Sequence, residues 1–321
     1  MSVSIIFLGS CTLDKVWMVN NLPQGGFKSK AYKYFEVGGG MAANAAAAAA
    51  CLGANTHFWG RAGNDAIGKT IKQELEIYNI NCQYFKLIDG EQSPVSAVIV
   101  DDNGERMIIS HSGTQLSQTP AWLPLYKVQD MQAVQVDSRW AEGAKTLLEH
   151  ARILGIPTVL DAEKTPVDIF DQLLPYTDYV IFSETGLINF AKDKYNIDLV
   201  KHLSSGQENE YDILLQILKT YSCKITAVTK GSKGIFWVDE SYTKNYQSSF
   251  KVKVADTTGA GDAFHGAFTY AIANNHTTKK AMEFASAAAA LKCMHIGGKG
   301  VPDLLSVEEF IKSRQENIIE E

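Results

Sequence analysis

Continuous apolar runs alternate along the chain with segments in which apolar residues return every three or four positions. Val3-Ser-Ile-Ile-Phe-Leu8 lacks a regular polar alternate and ends at Gly9, the pattern of a strand buried on both faces. Thr56–Trp59, Val134–Asp137, Thr158–Asp161, Tyr179–Phe182 and Ile225–Thr229 read the same way. Helical spacing follows most of these runs, over Ile71–Tyr78, over Ala141–Leu154, and after Thr165 and Glu184. Strand and helix units in series predict a mainly parallel sheet covered on both faces. Residues 203–212 are polar and read as a loop or a helix start.

Two stretches break this rhythm. Residues 15–36 alternate loosely, turn at Pro23, Gly25 and Gly26, and carry Lys28, Lys30 and Lys33. Val95–Val100 and Glu105–His111 alternate around Asp102-Asn-Gly104, a hairpin signal. Residues 13–36 and 93–112 are therefore expected to form a small β appendage inserted in one domain spanning 1–321. An edge hairpin of the main sheet is the competing reading. Val37–Gly53 is expected to open a helix at Gly38–Gly40, with alanines that let its backbone approach a neighbour closely. Asn44, one turn in, would then be buried and need partners.

Composition narrows the function classes. Of 321 residues, 21% are charged and 45% apolar, ordinary values for a globular enzyme. A net charge of −6 argues against nucleic acid as the main partner, which requires a basic face. The five cysteines show no metal-ligand spacing and read as reduced thiols. The N-terminus lacks a signal-peptide pattern, and Ala42–Ala50 is too short to span a membrane, so the expected setting is the cytoplasm, away from any membrane.

The chemistry concentrates in Asp256-Thr-Thr-Gly-Ala-Gly-Asp-Ala-Phe-His-Gly-Ala-Phe268. Phe250–Ala255 before it alternates like a strand, and helical spacing begins at Asp262, so the stretch predicts strand, glycine turn and helix start. Gly259 and Gly261 let the backbone turn tightly and come close to a ligand. The first amides of a helix lack internal partners and favour anions. Asp262 stands at that same positive end. An anion cradle beside a carboxylate suits phosphoryl transfer to a hydroxyl, with the carboxylate accepting the proton. Read alone, Asp262 is equally a helix cap and the glycines a turn. Asp14, just past the first strand, lies where ligands of open α/β sheets bind.

Asp256–Phe264 closely resembles the C-terminal signature of the ribokinase-like (PfkB) sugar kinases, and Gly39-Gly40-x-x-x-Asn44 resembles that family's N-terminal substrate motif. The resemblance spans nearly the whole chain. It implies a three-layer α/β/α fold with a small β-sheet lid, an ATP- and Mg²⁺-dependent kinase, and a small-molecule sugar as partner. By the same resemblance Asp262 is the catalytic base, and Gly259, Ala260 and Gly261 form the anion hole. Asp14, Gly39, Gly40 and Asn44 bind sugar hydroxyls. Thr229, Gly231 and Gly234 match the Thr-x-Gly-x-x-Gly turn that holds ATP. Ala287–Met294 and Gly297-Gly298 match the adenine wall. K⁺ activation is left open, with Asp256 and Thr258 at the family's usual cation site. Lids of the family often pair, so a homodimer through the lid is a further expectation. Ser183-Glu-Thr-Gly186 departs from the Asn-x-x-Glu that many members carry, which leaves the handling of Mg²⁺ in question.

Asp137–Trp140, Gly143–Lys145, Phe182–Glu184 and Leu291–Cys293 look like the ketohexokinase and 6-deoxy-6-sulfofructose kinase branch. There, residues matching Lys28 and Arg139 bind a sulfonate, although Ser110 stands where that branch has Asn. The expected acceptor is thus a ketose or a related sugar, either neutral or anionic. A nucleoside kinase of the same fold is the alternative, since Tyr32, Tyr34 and Phe35 offer stacking faces. A non-catalytic sugar-binding protein is a third. Gly63-Asn-Asp-Ala-Ile-Gly-Lys-Thr70 also satisfies a P-loop pattern. Asp65 would put a carboxylate where phosphates belong, and the same segment matches the ribokinase family's own Gly-Arg-x-Gly-x-Asp.

Overall fold

The computed structural model describes residues 2–26, 28–113, 116–199, 210–295 and 301–319. The strands, in chain order, are β1 (Ser4–Leu8), β2 (Thr12–Met18), β3 (Lys33–Gly39), β4 (Asn55–Gly63), β5 (Phe85–Ile88), β6 (Val95–Val100), β7 (Arg106–His111), β8 (Ala133–Asp137), β9 (Thr158–Ala162), β10 (Tyr179–Ser183), β11 (Ile225–Thr229), β12 (Ile235–Asp239) and β13 (Lys244–Gln247). The helices are α1 (Met41–Cys51), α2 (Ala66–Glu76), α3 (Ala141–Ile153), α4 (Val167–Leu173), α5 (Glu184–Tyr195), α6 (Glu210–Tyr221), α7 (Ala260–Ala273), α8 (Thr278–Lys292) and α9 (Leu304–Ile319).

Nine strands form the main sheet in the order β13-β12-β11-β10-β9-β8-β1-β4-β5. All neighbours are parallel except β12 and β13, which run antiparallel at one edge. Side chains of a strand alternate between faces, and β1 divides accordingly. Ile6 and Leu8 join the cluster of Leu147, Phe170 and Phe190 beneath α3–α5. Ile5 and Phe7 join the alanines of α1 on the opposite face. Helices thus cover both faces, as the unbroken apolar runs require.

A second sheet, β3-β2-β6-β7, stands apart. Its pairs are antiparallel except for the parallel β2–β6 pair. Gly38 and Gly39 belong to β3, and the helix begins at Met41, later than the sequence suggests. Gly39 crosses so close to Asp14 that an added Cβ would lie 2.3 Å from its Oδ2. The expected strand over Phe250–Ala255 is absent. Phe250 packs on Phe310 of α9 at 5.4 Å instead, and the amides of Ala255 and Asp256 donate to the carbonyl of Cys293. Backbone partners at the end of α8 replace a sheet neighbour. The polar stretch 203–212 lies outside the described residues up to 209, and α6 starts at Glu210.

Helices α1 and α7 cross with almost nothing between them. A Cβ built on Gly266 would lie 2.2 Å from the Ala45 carbonyl oxygen and 2.8 Å from the Ala48 Cβ. Gly266→Val is expected to destabilise the protein by about 1–3 kcal/mol, the usual range for overpacking a tight core. Denaturant unfolding measures this, and wild-type stability in the variant contradicts the close crossing.

Candidate active site

Gly259, at φ +74° and ψ 9°, lies in the left-handed region and caps α7, so a glycine is needed there. The Ala260 amide turns back to the Thr257 carbonyl at 3.2 Å, and the Ala263 amide starts the helix by donating to Gly259. Among the described residues, the Gly261 amide donates to no backbone acceptor. A Cβ on Gly261 would meet nothing within 4 Å, so the space before this helix start is open. Asp262 projects from the same turn and is partly buried.

The α1–α7 crossing sets Asn44 beside it. Asn44 Nδ2 donates to Asp262 Oδ2 at 2.7 Å. Asn44 is 7% exposed, and its Oδ1 is buried with no donor among the described residues. Burial, then the nearby Asp161 charge, pushes the Asp262 carboxyl up to about 7, against the Asn44 hydrogen bond and His265. Asp14 lies across Gly39 from α1. Gly40 precedes α1 at φ +101°, and its Cβ would strike the Ser10 carbonyl oxygen at 2.6 Å. The two expected substrate motifs and the expected base therefore form one contiguous cluster.

Several residues of this cluster escaped the sequence reading. Asp137 ends β8 fully buried, and its carboxylate accepts from Ser10 N at 2.7 Å, Ser10 Oγ at 2.6 Å, Ala42 N at 3.2 Å and Arg139 N at 2.9 Å. It ties the exit of β1 to the first turn of α1. His265, one turn after Asp262, has Nδ1 2.8 Å from the Gly261 carbonyl oxygen and Nε2 3.5 Å from Asp161 Oδ1. Burial lowers the His265 pKa, while burial and then Glu163 raise that of Asp161 well above the usual carboxylate range. Nε2 also lies 3.4 Å from the Ile181 carbonyl oxygen. Asp137 and Asp161 share one readable signal, an acid at or next to the end of a buried strand.

The turn between β11 and β12 lies on the same rim of the sheet. Lys230 N donates to the Gly234 carbonyl at 2.8 Å, with Gly231 and Gly234 at φ +54° and +87°. Thr229 Oγ1 donates to the Phe182 carbonyl at 3.3 Å. Lys230 is ion-paired with Glu210 and, at 3.3 Å, with Glu184. Ala287–Lys292 lie in α8, whereas Gly297-Gly298 lie outside the described residues.

Between the second sheet and the end of β1 lies a cavity of about 580 Å³. Arg61, Arg139, Ser96, Ser110 and Gln118 line it, and no Asp or Glu is among its described lining residues. Arg61 is 7% exposed, donates from Nε to the Ser117 carbonyl at 2.7 Å, and stacks over Trp140 at 4.4 Å. The sequence reading passed over it. Arg139 reaches the cavity from an exposed position and makes a 3.4 Å hydrogen bond to the Lys164 carbonyl, rather than pairing with Glu142. Lys28 does not join them, being exposed on the loop before β3 and no part of the cavity lining.

The P-loop pattern resolves differently. Asp65 caps α2 and accepts from Gly68 N at 2.7 Å, Ser93 N at 2.9 Å and Ser93 Oγ at 2.6 Å. A carboxylate fills the place of a phosphate, and Lys69 is exposed. For Mg²⁺, no cluster of three His, Cys, Asp or Glu side chains occurs among the described residues. Nucleotide phosphates supply most ligands of such an ion, so it fits as a nucleotide complex. A monovalent cation at Asp256 and Thr258 does not fit. Arg106 Nη2 lies 3.1 Å from Asp256 Oδ1, its Nη1 bonds Thr258 Oγ1, and Lys292 Nζ donates to the Asp256 carbonyl at 3.0 Å.

The profile of the pfkB family of carbohydrate kinases matches residues 4–303. An ATP-dependent ribose-1-phosphate kinase of Halopiger xanaduensis is 25% identical over 97% of this chain and 99% of its own. The ribokinase of Bacillus subtilis is 27% identical over 96% and 99%. A crystal structure of a ribokinase candidate from Agrobacterium tumefaciens superposes with a TM-score of 0.89 at 30% identity, covering 98% and 99%. Arabidopsis thaliana ribokinase complexed with ribose and ATP gives 0.82 at 26%, covering 97% and 99%. These comparisons do not single out the ketohexokinase branch.

Titration of the Asp262 carboxyl, followed by ¹³C NMR, is expected to have its midpoint at about 7. Asn44→Ala removes a donor to the ionised form, so the midpoint moves up. A midpoint in the ordinary carboxylate range contradicts the burial argument.

Proposed function

The chain belongs to the PfkB family of carbohydrate kinases, and on that premise we propose that it transfers the γ-phosphoryl group of ATP, presented with Mg²⁺, to a hydroxyl of a ketose or related sugar. The observation that carries this reading is the Asn44–Asp262 pair beneath the start of α7. Asp262 accepts the proton of the attacking hydroxyl. A base with a pKa of about 7 suits that task, because an appreciable fraction is ionised while the conjugate acid still holds the proton. The Gly259–Gly261 amides face the charge developing on the transferred phosphoryl oxygens. Asn44, whose buried Oδ1 needs a donor, receives a second hydroxyl of the sugar, as Asp14 does from across Gly39. The β11–β12 turn, with Thr229, Gly231 and Gly234, holds the nucleotide phosphates.

The second sheet closes over the acceptor and excludes water, which otherwise competes as a nucleophile. Two arginines, and no Asp or Glu among the described lining residues, face the cavity beneath it, which supports an acceptor carrying an anionic group. The aromatic residues that raised the nucleoside reading are engaged within the second sheet. Tyr34 packs on Trp17 at 5.2 Å, and Tyr32 Oη donates to Asp102 at 2.8 Å. Exposed Ile108 and Ile109 on the edge strand β7 support pairing of two copies through this sheet.

Asp262→Asn is expected to lower kcat by about 10²-fold or more, the usual range for a lost base, with little change in KM. Retained turnover refutes the assigned role. Across a panel of sugars, sugar phosphates and sulfosugars, Arg61→Met should raise KM for anionic acceptors by about tenfold or more, as expected for losing one charge-assisted contact. An equal effect on neutral acceptors removes the case for an anionic substrate.

A further inference from the structure

The loop from Ala255 to Thr258 leads directly into the left-handed Gly259 and the start of α7, so its geometry sets where the Gly261 amide and Asp262 point. Its polar atoms are held by two elements far away in sequence. Lys292, the last residue of α8, is 0% exposed and donates from Nζ to the Asp256 carbonyl at 3.0 Å. The next residue, Cys293, takes the Ala255 and Asp256 amides on its carbonyl at 2.8 and 3.1 Å. From the second sheet, Arg106 reaches Asp256 Oδ1 and Thr257 Oγ1, both at 3.1 Å, and also Thr258 Oγ1. Within the loop the Asp256 carboxylate also accepts from Thr258 N at 2.8 Å and Thr258 Oγ1 at 2.7 Å.

A fully buried ammonium is costly unless it is paired and hydrogen-bonded. Here the ammonium and a guanidinium bracket one carboxylate-bearing loop. A third positive charge entering the same few ångströms would meet repulsion from both, and would find donors already on Asp256 Oδ1, the Asp256 carbonyl, Thr257 Oγ1 and Thr258 Oγ1. We propose that Lys292 and Arg106 are tethered cations that perform, at the Asp256–Thr258 loop, the shaping that a bound monovalent ion would otherwise supply, so that the protein works without K⁺. They are positioning residues, acting on the phosphoryl group only through the loop and the helix start it orients. Burial lowers the Lys292 pKa, and the Asp256 charge opposes that most strongly, with Cys293 and Asp262 adding to it and Arg106 working against it.

The consequences separate cleanly from the identity of the acceptor, because nucleotide binding and stability report on the loop without any sugar. With the full chain, affinity for the non-hydrolysable MgAMP-PNP and Tm are measured in KCl and in tetramethylammonium chloride at equal ionic strength. Wild type is expected to show the same affinity within about twofold and no K⁺-dependent rise in Tm, since screening is matched. A tenfold or greater gain in affinity in K⁺, about 1.4 kcal/mol, overturns the proposal. In Lys292→Met, which keeps the buried volume, nucleotide affinity should fall in tetramethylammonium and be restored at least in part by K⁺, with a K⁺-dependent rise in Tm. Affinity unchanged by the substitution, or lost without any response to K⁺, overturns it as well. Should Lys292→Met not fold, Arg106→Met at the more exposed partner is read the same way. A kinase that turns over on the sugar panel yet needs K⁺ refutes this inference and leaves the proposed function standing.

Discussion

The site depends on two helices touching backbone to backbone. Asn44 comes from the first quarter of the chain and Asp262 from the last, yet the Nδ2–Oδ2 distance is 2.7 Å. An amide side chain spans that gap only if the helix axes are nearly in contact. The alanine run of α1 and Gly266 of α7 provide this, with the Ala45 carbonyl where a Cβ at position 266 would stand. Gly266 costs helix propensity, and the eight alanines of α1, seven of them buried, forgo the larger apolar area that leucines would bury. What the exchange secures is a fixed position for the carboxylate, held by a packed core and not by a loop.

Electrostatics then follow from where the helix starts. Asp137, Asp161 and Asp262 sit at the same end of the sheet, and three ionised carboxylates together in a poorly hydrated place would repel one another. Each is managed differently. Asp137 is wrapped in backbone and hydroxyl donors. Asp161 is pushed toward its neutral form and faces His265. Asp262 is raised by burial, and Asn44 supplies one donor that opposes the rise. The proposed role of Asp262 as a base that gives and takes a proton near neutral pH is consistent with such an environment.

Much of the fold was legible because buried parallel strands are unbroken apolar runs and their helices are periodic. The Gly-Ala-Gly-Asp turn was legible because its glycines answer to backbone demands: left-handed Gly259 and open space before Gly261. What failed to read depended on contacts distant in sequence. Phe250–Ala255 alternates like a strand, but the Cys293 carbonyl and Phe310 claim it first. Gly38 and Gly39 look like a helix opening, yet β2 extends them into the second sheet. Arg61 resembled part of a loop pattern, and only the fold places its guanidinium over Trp140 at the cavity wall. Lys28 shows the reverse: a basic residue near a motif in sequence, and away from the cavity in space.

Arg106 and Lys292 differ in where they are anchored. Lys292 belongs to a helix of the main body and is fully buried, so its contact with Asp256 is a fixed part of the core. Arg106 belongs to the second sheet, so its contacts with Asp256, Thr257 and Thr258 bridge two sheets. Movement of the second sheet away from the main body would break the guanidinium contacts and spare the ammonium one. The loop before α7 would then lose its outer partner whenever the acceptor cavity opened, and regain it on closure. A tethered side chain returns at an effective concentration far above that of a free ion in solution, so re-forming the contact needs no ion from bulk. The same arginine would thereby couple the position of the second sheet to the shape of the start of α7.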